Sequence, residues 1–177
     1  RLKPLLPWCG TTLIQHQVCT LLEAAQHTIV VLGHRHQEVT PHIPPDPRLT
    51  IVINPDYLHG KTTSIKRGLM EVDTSAEVIL ILAVDQPRTV GMLRTIIRAH
   101  REEKALITVP QFHDEYGHPP LFMGELLPEL LAISEERQGL REVMQRHRKD
   151  IHYTPVDSRN VLLDINRPKD YQEATEV

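Results

Sequence analysis

The stretch of sequence that decides the fold is Glu77-Val78-Ile79-Leu80-Ile81-Leu82-Ala83-Val84-Asp85-Gln86-Pro87. Its uninterrupted apolar run predicts a strand buried on both faces, the pattern of the middle of a parallel sheet. Pro87 has no N–H to donate to a ladder, so the chain turns directly after Asp85. Sheets of this kind bind ligands beyond the carboxyl ends of their strands, which puts Asp85 where chemistry is normally done. The structural alternative is that Asp85 only caps a helix that begins near Thr89.

Outward from this strand, further apolar runs alternate with segments of helical spacing. We predict strands at residues 28–32, 49–53, 106–109 and 151–156, and helices at residues 13–27, 61–72, 89–103, 124–131, 139–147 and 168–174. Strands that alternate with helices indicate an α/β domain with a mostly parallel sheet. The later strands are less regular, which favours a partly mixed sheet. A length of 177 residues is typical of one domain.

The bulk composition argues against several classes of protein. The formal net charge is −3 and the basic residues are not clustered, so we expect no nucleic acid and no membrane as partners. No apolar run in the sequence approaches the roughly eighteen residues of a membrane span, and we expect no secretory signal. Cys9 and Cys19 show no pairing pattern, which is typical of a reduced, cytoplasmic protein.

Polar groups gather at predicted strand ends and helix starts. They are Lys3, the turn from Gly60 to Ser64, Asp85, and Asp164 with Asn166. Carboxylate and amide oxygens are the ligands that Mg²⁺ accepts beside phosphate oxygens. A lysine and a helix N-terminus add positive charge and N–H donors for phosphate. Together these groups favour phosphoryl or nucleotidyl transfer.

Each of these groups also has a purely structural interpretation. Lys3 is compatible with an ordinary solvated lysine, and Ser64 with a residue that merely begins a helix. Asp164 could cap the last helix while Asn166 binds metal, or the reverse. His118, between a glycine and a proline, could be held by turn geometry alone.

A family resemblance covers almost the whole chain. Its motifs, in order, are Lys3-Pro4-Leu5-Leu6-Pro7-Trp8, Val31-Leu32-Gly33-His34, Asn54-Pro55-Asp56-Tyr57 with Gly60 and Ser64, Asp85-Gln86-Pro87, Gly117-His118-Pro119, and Asp164-Ile165-Asn166-Arg167-Pro168-Lys169-Asp170-Tyr171. They resemble the nucleotidyltransferases of the molybdenum-cofactor cytidylyl- and guanylyltransferase type.

The resemblance implies a fold and an activity. The implied fold is a Rossmann-like three-layer α/β sandwich of the nucleotide-diphospho-sugar transferase type. The implied reaction is a magnesium-dependent transfer of a nucleoside monophosphate from a nucleoside triphosphate, CTP or GTP first, to a phosphorylated acceptor such as molybdopterin, with release of pyrophosphate. The alternatives are a sugar-phosphate nucleotidyltransferase or glycosyltransferase of the same fold, or a non-catalytic nucleotide-binding domain.

The resemblance also implies roles for particular residues. Lys3 and Asp85 would be catalytic, with Lys3, Gly60, Ser64 and Asp85 binding the nucleotide. Gly117 and His118 would bind the acceptor substrate. Asp85 would be the principal ligand of Mg²⁺, completed by Asn166 or by Asp164.

The sequence departs from the family at its start. The family begins with a strand and a Leu-Ala-Ala-Gly loop whose N–H groups cradle the triphosphate, and this chain begins after that loop. We therefore predict that residues 1–177 form a single nucleotidyltransferase domain without the N-terminal strand and glycine-rich loop. Either the working protein has a segment that this chain lacks, which we favour, or triphosphate binding is impaired.

Overall fold

The computed structural model describes residues 2–175, and in it helices alternate with short strands. Its helices are α1 (Leu13–Ala24), α2 (His36–Val39), α3 (Lys61–Leu69), α4 (Val90–Glu103), α5 (Leu127–Leu131), α6 (Leu140–Arg146) and α7 (Pro168–Thr175). Its strands are β1 (Pro7–Trp8), β2 (Thr11–Thr12), β3 (Thr28–Leu32), β4 (Leu49–Ile53), β5 (Val78–Leu80), β6 (Ile107–Phe112), β7 (Glu115–Tyr116), β8 (Leu121–Met123) and β9 (Ile151–Pro155). The predicted alternation of strands and helices is confirmed.

The strands of residues 2–175 form separate ladders. β1 and β2 make a small antiparallel pair, and β3 and β4 run parallel with Thr28 opposite Leu49. In the five-stranded sheet, β6 pairs with β7 and β8 antiparallel and with β9 parallel, and β5 pairs with β8. The predicted mixture of parallel and antiparallel pairing is therefore present.

The stretch from Glu77 to Pro87 differs from its prediction in length and neighbours. Only Val78–Leu80 forms a strand, and β5 pairs antiparallel with β8, with Ile79 opposite Phe122. Among residues 2–175 it lies at one end of its sheet, so the prediction of a central strand with parallel neighbours is wrong at this point. The reason is that an apolar run does not specify which strands pair, and residues 81–83 have no regular secondary structure.

The strand predicted at residues 106–109 continues past the proline that was expected to end it. β6 includes Pro110 and runs to Phe112. A proline in a ladder removes only the bond of its missing N–H. Its carbonyl still accepts a hydrogen bond from the Gly117 N–H at 2.8 Å.

Two apolar clusters hold the helices against the strands. In one, α1 packs on β3 through Val18, Leu22, Val30 and Leu32, all nearly inaccessible to solvent. The other lies between the five-stranded sheet and α3, α5 and α6, and includes the fully buried Phe122. Burying such side chains contributes about 2 kcal/mol each. No helix within residues 2–175 combines the length and the apolar character needed to cross a membrane.

Candidate active site

Asp85 lies in the turn that follows β5, and it is paired with Lys3. Lys3 Nζ donates a hydrogen bond to Asp85 Oδ2 at 2.8 Å across 82 residues of sequence. The lysine side chain is 37% exposed and the aspartate side chain 17%. The interpretation of Asp85 as a helix cap is wrong, because Thr89 caps α4 by accepting from the Met92 N–H at 3.2 Å. The half-buried ion pair leaves the other carboxylate oxygen of Asp85 without a bond to Lys3.

The segment around Asp164 is joined to the Asp85 turn through the backbone. The Ile165 N–H donates to the Asp85 carbonyl at 2.8 Å. Asp164 Oδ1 is buried, and it has no hydrogen-bond partner within the described residues. A buried polar atom left in this way costs free energy unless a ligand satisfies it.

Asn166 is exposed and lies two residues after Asp164. Its N–H and that of Arg167 donate to Asp170 Oδ2, at 3.1 and 2.7 Å, and the Asn166 N–H also donates to the Asp164 carbonyl at 3.0 Å. The side chain of Asp170, rather than that of Asp164, therefore caps the N–H groups that precede α7. This leaves Asp164 available for a cation, while the direct role of Asn166 stays a prediction.

The Gly117–His118 loop packs directly on the segment that leads to Asp164. The His118 N–H donates to the Val161 carbonyl at 3.0 Å, and the His118–Pro119 peptide bond is cis. A side chain at Gly117 would place its Cβ 2.6 Å from the Val161 carbonyl oxygen, so only glycine permits this approach. The two residues predicted to bind the acceptor therefore lie beside the Asp164 segment.

The groups that shift the pKa of His118 show which charged side chains lie near it. Although the residue as a whole is exposed, the pKa of its imidazole is lowered, first by loss of solvation and then by the positive charge of Arg88. Lys61 lowers this pKa further, while Asp164 and Asp85 act in the opposite direction. The neutral ring is thus favoured near pH 7, and it lies within the field of both acids.

The start of α3 is organised differently from the prediction of an open anion cradle. Gly60, at φ +106°, is the N-cap residue, and the Thr62 N–H donates to Glu135 Oε1 at 2.6 Å. Ser64 lies in the first turn, where its Oγ accepts from Asn54 Nδ2 at 2.9 Å. Within the described residues, neither Gly60 nor Ser64 bonds to Lys3 or Asp85. Their nucleotide-binding role remains a prediction.

Two buried polar residues of the site were not found from the sequence. Gln17 of α1 donates through Nε2 to the carbonyls of Ala83 and Gln86, and its Oε1 accepts from the Arg88 N–H. Arg88 is 1% exposed. A signal for Gln17 exists, since it interrupts the apolar stripe of a helix, but Arg88 simply follows the motif Asp85-Gln86-Pro87 without a pattern that marks it.

The oxygen donors at this place are compatible with a divalent cation. Within residues 2–175, no three His, Cys, Asp or Glu side chains are grouped closely enough to hold a metal by themselves. The segments that carry Asp85 and Asp164 are joined by the hydrogen bond from the Ile165 N–H to the Asp85 carbonyl, and Asp164 Oδ1 is buried with no partner among these residues. Mg²⁺ is usually held by one or two carboxylates and completed by water and phosphate oxygens. The residues present fit such an ion, provided that the substrate supplies the remaining ligands.

The fold and the acid–lysine pair at the end of a strand define a class, the α/β nucleotidyltransferases of the nucleotide-diphospho-sugar transferase type. The chain belongs to the family described as the MobA-like NTP transferase domain, whose model matches residues 1–151. The resemblance inferred from the motifs is confirmed by this match.

Individual relatives agree with the family over most of the chain. The molybdenum cofactor cytidylyltransferase of Escherichia coli (strain K12) is 27% identical over 176 residues, which are 98% of this chain and 87% of that protein. The nicotine blue oxidoreductase of Paenarthrobacter nicotinovorans is 30% identical over 152 residues, 81% of this chain and 73% of that protein. The crystal structure of Rv0371c from Mycobacterium tuberculosis H37Rv in complex with manganese superimposes with a TM-score of 0.81 and 26% identity, covering 100% of this chain and 93% of that chain. The predicted fold class is confirmed, and the chain is a nucleotidyltransferase.

Proposed function

We propose that the protein transfers a nucleoside monophosphate from CTP or GTP to a phosphorylated acceptor such as molybdopterin, releasing pyrophosphate. The observation that carries the proposal is the Lys3–Asp85 pair at 2.8 Å, in a turn that is hydrogen-bonded to the segment of Asp164, whose Oδ1 is buried and has no partner within residues 2–175. The similarity to the Escherichia coli molybdenum cofactor cytidylyltransferase supports CTP and this acceptor class.

We further propose that the reaction needs a divalent metal, with Mg²⁺ as the physiological ion. Asp85 and Asp164 would hold it, and Asn166 would complete the set. When bound, such an ion neutralises phosphate oxygens and stabilises the charge of the transition state. The manganese complex of the related Rv0371c supports a divalent ion in this family.

The protein's own residues have the remaining roles in the proposed reaction. Lys3 offsets negative charge as it develops on the phosphates, since its ammonium already lies at the acid. His118, with its lowered pKa, is neutral near pH 7, so it offers a hydrogen bond to the acceptor rather than a charge. We place Gly60 and Ser64 on the nucleotide side and Gly117 on the acceptor side. The cytoplasm is the predicted compartment.

Pyrophosphate release tests the proposal. The purified protein, expressed with any coding sequence that precedes Arg1, is incubated with CTP, GTP or ATP, with Mg²⁺ or Mn²⁺, and with molybdopterin or a sugar phosphate as acceptor. We expect pyrophosphate release with molybdopterin, and we expect Asp85→Ala to abolish it. Asp150→Ala is the control, since it removes an exposed acid just before β9, and it should retain the release. Release unaffected by Asp85→Ala would contradict the proposal.

The same assay distinguishes the proposed function from its alternatives. Turnover with sugar phosphates alone would favour a sugar-phosphate nucleotidyltransferase. Magnesium-dependent nucleotide binding by calorimetry without turnover on any acceptor would favour a non-catalytic domain. Reduction of nicotine blue without pyrophosphate release would relate the chain to its oxidoreductase relative instead.

A further inference from the structure

Arg88 is a buried cation that binds only backbone oxygens. Among the described residues it is the largest fully buried side chain, and it is 1% exposed. Nε donates to the His118 carbonyl at 2.8 Å, Nη1 to the Pro87 and Leu163 carbonyls at 2.8 and 3.0 Å, and Nη2 to the Val161 carbonyl at 2.8 Å. Within residues 2–175 no carboxylate is hydrogen-bonded to it. Burying a guanidinium in this way costs free energy that the four hydrogen bonds must offset.

The four carbonyls belong to three segments that carry the candidate site. Pro87 ends the turn of Asp85, His118 belongs to the acceptor loop, and Val161 and Leu163 precede Asp164. Backbone bonds join the same segments, from the Ile165 N–H to the Asp85 carbonyl and from the His118 N–H to the Val161 carbonyl. The guanidinium therefore lies where all three segments meet.

Asp164 balances the charge of Arg88, although the two side chains form no hydrogen bond. Burial lowers the pKa of Arg88 to about 10, and the negative charge of Asp164 acts in the opposite direction. Arg88 therefore remains protonated at pH 7, close enough to Asp164 for their charges to interact. Four of its five N–H groups donate to carbonyls and none donates to Asp164 Oδ1, which has no hydrogen-bond partner within residues 2–175. A direct Arg88–Asp164 bond would have occupied the acid.

We propose that Arg88 is a positioning residue, which holds the Asp85 turn, the His118 loop and the Asp164 segment together and balances the charge of Asp164 while leaving its oxygen free for a cation. Its effect on catalysis rests on the proposed function. Its effect on the geometry of the three segments does not.

The experiment compares Arg88→Lys, Arg88→Met and Arg88→Ala with Arg94→Met. Arg94 lies on α4, which begins two residues after Arg88; it is exposed and donates one hydrogen bond to the Glu23 carbonyl at 3.0 Å. The readouts on the folded protein are Mn²⁺ affinity by electron paramagnetic resonance and hydrogen exchange at the His118 and Ile165 amides. We expect Arg88→Met to weaken Mn²⁺ binding about tenfold or more, as loss of a residue that orients metal ligands does. Exchange at both amides should accelerate, while Arg94→Met behaves as wild type.

A rescue arm separates positioning from simple filling of the core. Ethylguanidinium added to Arg88→Ala should restore slow exchange and Mn²⁺ affinity, whereas ethylammonium at the same concentration should not. Arg88→Lys keeps the charge and part of the hydrogen bonding, so its Mn²⁺ affinity and amide exchange should lie between those of wild type and Arg88→Met. If Arg88→Met and Arg88→Ala do not fold, Arg88→Lys provides the test. Mn²⁺ affinity and amide exchange within twofold of wild type in folded Arg88→Met or Arg88→Lys would overturn the inference.

The outcome can be told apart from failure of the proposed function. A wild-type protein that binds Mn²⁺ but releases no pyrophosphate would contradict the transferase proposal alone. If the wild type binds no Mn²⁺, the exchange of the two amides still decides whether Arg88 holds the segments.

Discussion

At the scale of single residues, the proposed site consists of one lysine and two acids with unequal environments. Lys3 pairs with Asp85 near the surface, whereas Asp164 Oδ1 is buried and has no partner within the described residues. Pairs as exposed as Lys3–Asp85 contribute little to stability, about 0–1 kcal/mol. A pair that adds so little to folding, placed at the end of a strand, is better explained by its chemistry than by its stabilising effect.

Removal of the lysine should therefore separate activity from stability. We expect Lys3→Met to lower kcat for pyrophosphate release about 100-fold, the usual loss for one donor to a developing oxyanion. The free energy of unfolding should change by less than about 1 kcal/mol. Lys169→Met is the matched control, since Lys169 also pairs with an acid, Glu173, at 3.3 Å on the exposed helix α7. Equal losses of activity in both variants would contradict a special role for Lys3.

A buried histidine should make the protein less stable in mild acid. His100 is 1% exposed, its Nδ1 lies 2.8 Å from Thr108 Oγ1, and its pKa is lowered by burial first and then by His152 and Arg101. The unfolded state then binds more protons than the folded state as the pH falls below about 6.5, the ordinary histidine pKa. The stabilising contribution is complete above that pH and is lost as the pH falls through the lowered pKa of the folded state.

Urea unfolding between pH 7.5 and pH 5 measures this effect. We expect the free energy of unfolding to decrease as the pH falls, and to decrease less steeply in His100→Gln. Thr95→Ala, an exposed change on the same helix without a titratable group, should keep the wild-type slope. A slope unchanged in His100→Gln would show that other groups cause the loss.

At the scale of elements, the turn after β5 is shaped by α1 rather than by its own sequence. Gln17, 3% exposed, bonds to the carbonyls of Ala83 and Gln86 and to the Arg88 N–H. One amide side chain thus satisfies three backbone groups of a segment that has left the sheet. The turn that presents Asp85 depends on how α1 packs against it.

Replacement of Gln17 should damage both folding and catalysis. Gln17→Leu leaves three backbone groups without their partner, and we expect a loss of roughly 1–3 kcal/mol in the free energy of unfolding, the cost of unsatisfied buried groups. Pyrophosphate release should fall as well, because Asp85 is no longer held. Gln15→Leu, on the same helix and without a side-chain bond in the described residues, should retain both. Denaturant titration and the release assay measure the two effects, and full activity in Gln17→Leu would contradict this account of the turn.

At the scale of the whole molecule, the site gathers residues from the beginning, middle and end of the chain. Lys3 precedes the first strand, Asp85 follows β5, and Asp164 lies between β9 and α7. Both apolar clusters reach this part of the chain, since Leu2, Leu5 and Val84 pack against the cluster around α1 and β3, and Ile81 packs against the cluster at the five-stranded sheet. Local sequence therefore cannot create the site, which exists only in the folded domain.

The helices, the strands and the candidate acids could be predicted from the sequence, but the contacts between them could not. β3 and β4 were predicted with their observed bounds, and α4 to within one residue, because hydrophobic periodicity is a local property. The neighbours of β5 and the hydrogen bonds of Arg88 and Gln17 could not be predicted, because pairing and buried polar bonds join residues about 30 to 75 positions apart. The family motifs suggested roles for Lys3, Asp85 and Asn166 that spacing alone could not assign.

The central claim is that Asp85 and Asp164 together hold a divalent ion that binds the nucleotide phosphates. Anomalous diffraction from crystals grown with Mn²⁺ and CTP tests it most directly. The account predicts one strong manganese peak coordinated by carboxylate oxygens of Asp85 and Asp164 and by phosphate oxygens of CTP. A fully occupied nucleotide with no manganese at these acids, Lys3 still bonded to Asp85 and Asp164 Oδ1 still without a partner would contradict it.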